Sequence, residues 1–158
     1  MIVAFRKGFS DLLTGNWWLA LGIMVRTWSV YTHVELQFSD GYSVTSSSAI
    51  NDPNKDGVDI RPLDVSGKEW DRLFIWDITQ FGYKDESEVR LKAEKLKKDN
   101  KGYSLDDLVS IFVGKKPNDE SRYFCSEVIA YLLRRKPMGV TPGQLCAKLK
   151  KMNGVRIA

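Results

Sequence analysis

The sequence has few of the residues that build disulfide frameworks or metal centres. Its 158 residues include two cysteines and one histidine. Two cysteines are too few for the cross-linked framework of a small secreted domain, and the lone histidine leaves too few soft ligands for a structural zinc site. No metal ion and no other cofactor is therefore expected.

Long hydrophobic runs are also missing. The longest apolar stretch, Trp17 to Val25, has nine residues, whereas a membrane-spanning helix needs about 20. It has neither a preceding basic region nor a clear cleavage site, so no signal peptide is expected. The sequence predicts a soluble chain without a transmembrane segment, either cytoplasmic or associated with a particle. Its localisation and oligomeric state stay open.

Acidic residues are absent after Glu127, although the net charge of the whole chain is only +4. The basic residues of this end are Arg134, Arg135, Lys136, Lys148, Lys150, Lys151 and Arg156. Such a surface can attract anionic polymers or lipid headgroups. No aromatic interleaving or nucleic-acid motif accompanies it, so nucleic acid is not an expected partner. A solvated helix face is the ordinary interpretation.

The composition is that of an ordinary folded protein. Apolar residues make up 43% and charged residues 28% of the chain, which matches soluble globular domains. A chain of this length buries roughly 70% of its unfolded surface and needs no cross-links to form a core. No linker or repeat divides it, so residues 1–158 are expected to form a single domain.

Short strand-like segments alternate apolar and polar residues. In Tyr31–Phe38, Val34 and Leu36 fall on one face, while His33 and Glu35 share the opposite, polar face. The turn Ser39-Asp40-Gly41 leads into a returning strand, so the histidine lies on a predicted hairpin. The segments with strand character are Met1–Phe5, Tyr31–Phe38, Tyr42–Ser47, Val58–Leu63 and Leu73–Ile78. Four or five mainly antiparallel strands are expected.

Helical segments occupy the rest of the chain. They are Ser10–Val25, Lys84–Lys98, Tyr103–Val113, Phe124–Leu133 and a last segment from Thr141-Pro142 to Met152. Phe124–Leu133 is apolar on nearly every side, which predicts a helix buried at the centre of the domain. Mainly antiparallel strands together with helices indicate an α+β fold.

Cys125 is the better placed of the two cysteines for nucleophilic chemistry. It lies in the first turn of a predicted helix, where the positive end of the helix lowers the pKa of a thiol. Cys146 lies inside an amphipathic helix, where a cysteine behaves as a small core residue. Most buried cysteines are inert, so position alone does not assign catalysis to Cys125.

The single histidine offers a general base. A histidine on the polar face of a strand is usually a surface residue, but Glu35 follows His33 by two positions and points to the same side. A carboxylate there can orient or charge the imidazole. Because 92 positions separate His33 from Cys125, spacing does not decide whether they meet. The five tryptophans are interpreted as core residues rather than as a substrate groove.

The motifs around these residues resemble one enzyme family. Thr32–Leu36 followed by Phe38–Gly41 resembles the histidine motif of circularly permuted NlpC-type papain-like cysteine hydrolases, and Tyr123–Val128 resembles their cysteine motif. In this branch, which occurs in bacteria and viruses, the histidine precedes the cysteine, as it does here. Lesser similarities lie at Gly102–Ser104, Val140–Leu145 and Gly57–Val58, and residues 1–28 are not matched.

The resemblance implies both a fold and a set of catalytic residues. The fold would be a small antiparallel sheet or half-barrel packed against a central helix that carries the cysteine. Cys125 would attack a carbonyl, His33 would take and later return the proton, and Glu35 would orient the ring. Thr45 and Ser47 are weaker candidates for that third position. Tyr103 would help to shape the cleft, and the backbone N–H of Cys125 is a natural oxyanion donor.

The function that the resemblance implies is cleavage of an amide or peptide bond through an acyl-enzyme thioester. Peptides, peptidoglycan and acyl-lipids are the candidate substrates. An acyltransferase or a hydrolase of lipid-linked acyl groups is the nearest alternative. Two functions of a different class also stay open, a catalytically silent papain-like binding or particle component and a basic nucleic-acid-binding protein.

Overall fold

The structure, a computed structural model, describes residues 1–9, 21, 24–25, 28–47, 57–99, 124–137, 139–152 and 155–157. Within these residues there are six β-strands and three α-helices. The strands are β1 (Ile2–Lys7), β2 (Tyr31–Gln37), β3 (Tyr42–Ser47), β4 (Gly57–Pro62), β5 (Trp70–Ile75) and β6 (Val155–Ile157). The helices are α1 (Glu86–Lys98), α2 (Cys125–Leu132) and α3 (Pro142–Lys150). The fold class is therefore α+β, as the sequence predicts.

The strands form one antiparallel sheet in the order β4-β3-β2-β1-β5-β6. The hairpin of β2 and β3 turns at Ser39-Asp40-Gly41, where Gly41 has a φ of +85° that favours glycine. The first strand lies in the interior of the sheet, between β2 and β5. The chain therefore adds strands on both sides of β1.

The helices pack against this sheet and complete the core. Helix α2 contacts β2 and β3, α3 contacts β2 and α2, and α1 contacts β4 and α2. Fully buried side chains from the sheet meet fully buried side chains from α2 and α3. They include Val3, Phe5, Val34, Leu36, Val44 and Leu73 from the strands and Val128, Ile129, Leu132, Leu145 and Leu149 from the helices. As predicted, α2 is a central helix, with only Tyr131 partly exposed.

Local sequence signals explain where the helices begin. The carboxylate of Asp85 accepts the N–H groups of Ser87 and Glu88 at the start of α1. Thr141 caps α3, with Pro142 at its first position, which is the arrangement that the sequence predicts. The final residues also hold a strand, β6, that the sequence pattern does not predict. Three residues are too few for a hydrophobic period to be detected.

Several expected features lie outside the described residues. They are most of the helix expected at Ser10–Val25, the helix expected at Tyr103–Val113, most of the loop at Asn51–Gly57, and Tyr103 itself. Among the residues that the structure does describe, no helix is long and apolar enough to cross a membrane.

The polar face of β2 is covered by other parts of the protein rather than open to solvent. Glu35 is 1% exposed, between the fully buried Val34 and Leu36. Because successive residues of a strand point to opposite faces, three buried residues in a row require that both faces are covered. Thr45 on β3 is buried as well. The polar side chains of this face therefore lie inside the protein, where they need partners.

Candidate active site

Cys125 is the first residue of α2, and the helix start is fixed by its neighbours. The buried carboxylate of Glu127 accepts the N–H of Phe124 at 3.1 Å and that of Gly139 at 2.7 Å. The hydroxyl of Ser126 donates to the carbonyl of Val140 at 2.6 Å. These bonds tie the first turn of α2 to the segment before α3. They hold the side chain of Cys125 at the positive end of the helix dipole.

The anchor at Glu127 should contribute measurably to stability. A glutamine has one acceptor oxygen where the carboxylate has two, so Glu127→Gln deprives one buried N–H of its partner. We expect the free energy of unfolding to fall by about 1–3 kcal/mol, measured by urea denaturation.

The matched control is Glu94→Gln on α1, where the carboxylate is 54% exposed and pairs with Arg90. The free energy of unfolding of this variant should stay within about 0.5 kcal/mol of the wild-type value. Equal losses in the two variants would show that Glu127 does not anchor α2.

His33 lies on β2, and two neighbouring side chains hold its ring. Nε2 is 3.2 Å from Oε1 of Glu35 and 3.2 Å from Oγ1 of Thr45. The ring of Trp70 meets the imidazole edge-on, with 6.5 Å between centroids. A histidine held on one nitrogen by two oxygens has a defined orientation.

These contacts also define which nitrogen carries the proton. The hydroxyl of Thr45 donates to the carbonyl of Val34 at 3.0 Å, so its oxygen is available to accept from His33. Glu35 is acceptor-only when it is ionised. Nε2 is therefore the donor, and in the neutral ring Nδ1 carries the free lone pair. That lone pair is where a proton from the thiol can go.

The imidazole and the thiol are close enough to interact. Burial lowers the pKa of His33, but the charge and side-chain hydrogen bond of Cys125, followed by the hydrogen bond and charge of Glu35, raise it. The net effect raises the pKa of His33 from 6.5 to about 10. Its side chain is 26% exposed, so the cation keeps some contact with solvent. Cys125, His33 and Glu35 thus form one interacting group, with Thr45 beside them.

Two of the candidates for the third catalytic position, Glu35 and Thr45, therefore contact His33 at the same time. Glu35 and Thr45 are equally far from Nε2, but only Glu35 brings a negative charge. Ser47 is the last residue of β3, and its side chain lies outside what the structure describes. The geometry favours Glu35 as the group that stabilises an imidazolium, with Thr45 as a second acceptor that fixes the ring.

Arg61 belongs to this group, although sequence reasoning misses it. Its Nη2 donates to Oε1 of Glu35 at 2.6 Å, the same oxygen that contacts His33. Arg61 lies on β4, two strands away from β2. The alternation of polar and apolar residues along β4 is a weak signal for this role of Arg61, because it does not identify the acidic residue that the arginine contacts. Only the strand order brings Arg61 to Glu35.

Cys146 has a different environment. It is buried within α3, as the sequence predicts, and burial raises the pKa of its thiol. It interacts with Tyr31, whose hydroxyl donates to Asp71 at 2.6 Å. A neutral buried thiol is a poor nucleophile.

In the described part of the chain, no cluster of three or more histidine, cysteine, aspartate or glutamate side chains is arranged to hold a metal ion. The chemistry that this site can perform is nucleophilic attack by sulfur with proton transfer through an imidazole. Comparison of the chain with protein-family models, with curated protein sequences and with solved structures finds no match.

Proposed function

We propose that the protein is a cysteine-dependent hydrolase that cleaves an amide or peptide bond through an acyl-enzyme thioester. The observation that carries this proposal is the interaction of Cys125, at the start of α2, with a histidine whose Nε2 contacts a buried carboxylate. Nucleophile, base and orienting group are the three parts that this chemistry needs.

The reaction follows from the proton positions. In the resting pair the proton is on Nδ1 of His33, and the sulfur anion of Cys125 attacks the carbonyl carbon to give a tetrahedral oxyanion. The backbone N–H of Cys125 would stabilise that oxyanion. The imidazolium then protonates the leaving nitrogen, the C–N bond breaks and a thioester remains. Water attacks the thioester and passes a proton to Nδ1, the C–S bond breaks, and the carboxylic acid leaves while the sulfur anion and the imidazolium are restored.

We further propose that the fold is a circularly permuted, NlpC-type papain-like domain. The support is the chain order, in which the strand with His33 precedes the helix with Cys125, and the packing of that helix against β2 and β3 of an antiparallel sheet. A sheet packed on a helix that begins with the nucleophile is the core expected of that class.

The substrate is proposed to be a peptide, with cell-wall peptide as the leading candidate. The test is a panel of slow amide and thioester substrates, in which peptidoglycan fragments are set against acyl-lipids. Intact-mass spectrometry and peptide mapping should find an acyl adduct on the peptide that contains Cys125. Release by water identifies a hydrolase, and transfer to an added amine identifies an acyltransferase. Adducts on Cys146 alone would contradict the proposal.

A further inference from the structure

We propose that Arg61 is a positioning residue of this site, which acts through Glu35 to limit how tightly the imidazolium of His33 is held. This inference rests on the proposed function and adds a fourth member to the group. It assigns Arg61 the task of keeping His33 able to release its proton to the leaving group.

The first observation is that two cations share one carboxylate oxygen. Oε1 of Glu35 is 2.6 Å from Nη2 of Arg61 and 3.2 Å from Nε2 of His33. The second oxygen of Glu35, Oε2, is buried and has no hydrogen-bond partner among the described residues. A carboxylate free of Arg61 would offer both oxygens and its whole charge to the imidazolium. In this arrangement the shorter, charge-assisted bond goes to Arg61.

The second observation is that Arg61 lies next to a further ion pair. Its Nη1 lies 3.8 Å from Oδ2 of Asp59, and Oδ1 of Asp59 accepts from Nζ of Lys97 on α1 at 3.0 Å. Burial raises the pKa of Asp59, but Lys97, the N–H of Ile60 and the charge of Arg61 together lower it. Charges therefore alternate in sign from the surface to the imidazole, through Lys97, Asp59, Arg61, Glu35 and His33.

The charged and polar groups around His33 come from every neighbouring element. Cys125 faces it from α2, Glu35 from its own strand and Arg61, through Glu35, from β4, while Arg6 is its cross-strand partner on β1. Thr45 on β3 and Trp70 on β5 are uncharged. Arg61 is the cation that contacts the carboxylate of Glu35 itself. Its removal should therefore change the interaction between Glu35 and the imidazole more directly than a substitution at another position.

The consequence is a prediction about the titration of His33. Because it is the only histidine of the chain, its ring gives a single Cε1–Hε1 signal in an NMR spectrum. In a Cys125→Ala background, we expect Arg61→Met to raise the titration midpoint by about one pH unit, since Glu35 then serves the imidazolium alone. Arg61→Lys keeps the cation and should restore the midpoint to within about 0.3 unit.

Two controls separate positioning from a merely structural role. Arg90→Met removes an arginine that is also ion-paired, with Asp40, and should leave the midpoint unchanged. In a Glu35→Gln background, Arg61→Met should no longer raise the titration midpoint of His33, because Arg61 acts only through that carboxylate. A midpoint that is unchanged or lowered in Arg61→Met would overturn the inference, even if the variant is less stable.

The same titration tests the proposed function separately. If Cys125→Ala does not lower the midpoint of the wild-type protein, the cysteine–histidine pair is absent and the proposed function fails. If Cys125→Ala lowers the midpoint and Arg61→Met has no effect, only the role of Arg61 fails.

Discussion

Replacing Cys125 with alanine should lower turnover of any accepted substrate by about 10⁴-fold or more, while the protein stays folded. The sulfur is the nucleophile in the proposed mechanism, and no other described side chain beside His33 carries a comparable thiol. The change removes one buried atom, which costs only about 1 kcal/mol of stability. Steady-state kinetics and thermal unfolding measure the two effects.

Cys146→Ala is the matched control for this experiment. Both cysteines are buried, so the pair of variants separates the loss of a nucleophile from the loss of core volume. Cys146→Ala should keep activity within about threefold of the wild type, since a core substitution of this size acts on stability rather than on chemistry. Comparable losses of activity in both variants would contradict the assignment of Cys125 as the nucleophile.

Replacing His33 with alanine should lower the rate at which iodoacetamide alkylates Cys125, by about tenfold or more at pH 6.5. The interactions of His33 raise its pKa from 6.5 to about 10, so the wild-type ring stays protonated through neutral pH. A cation beside the sulfur favours the thiolate, which is the reactive form. Wild-type labelling should therefore be faster than labelling of the variant from pH 6 to pH 9, the range in which the ring of His33 carries its charge.

The internal reference for this labelling is Cys146, whose raised pKa predicts slow reaction in the folded state. In urea, both cysteines should react with iodoacetamide at similar rates. This measurement corrects for differences in the recovery of the two cysteine-containing peptides. His33→Gln keeps a polar side chain of similar size without the charge and should match the alanine variant. A pH profile that is identical in wild type and variants would exclude the cysteine–histidine pair.

The sequence predicts most of the elements and their order, because local signals are strong there. The hairpin follows from alternation and the turn at Gly41, and β3 has the predicted bounds. The start of α3 follows from Thr141 and Pro142. The strand β5 begins at Trp70, three residues before the predicted Leu73, because its first half carries no clear alternation. Alternation shows which residues share a face but not what covers that face.

The candidate site is predictable only in part for the same reason. His33 and Glu35 are two residues apart on one strand, so their contact follows from strand geometry. The neighbours from other strands, Thr45 and Arg61, depend on strand order and register, which emerge only when the chain folds. The approach of Cys125 to His33 depends on how α2 packs against β2, and no spacing in the sequence determines it.

The interior place of β1 and the late position of α2 have a consequence for biosynthesis. As the chain leaves the ribosome, the histidine emerges 92 positions before the cysteine, so the strands of the hairpin can pair before the nucleophile exists. Contacts between such distant segments form late in folding. In the proposed mechanism, the thiol would therefore become reactive only after the helix that carries it has docked, which would protect the nascent chain from a prematurely activated cysteine.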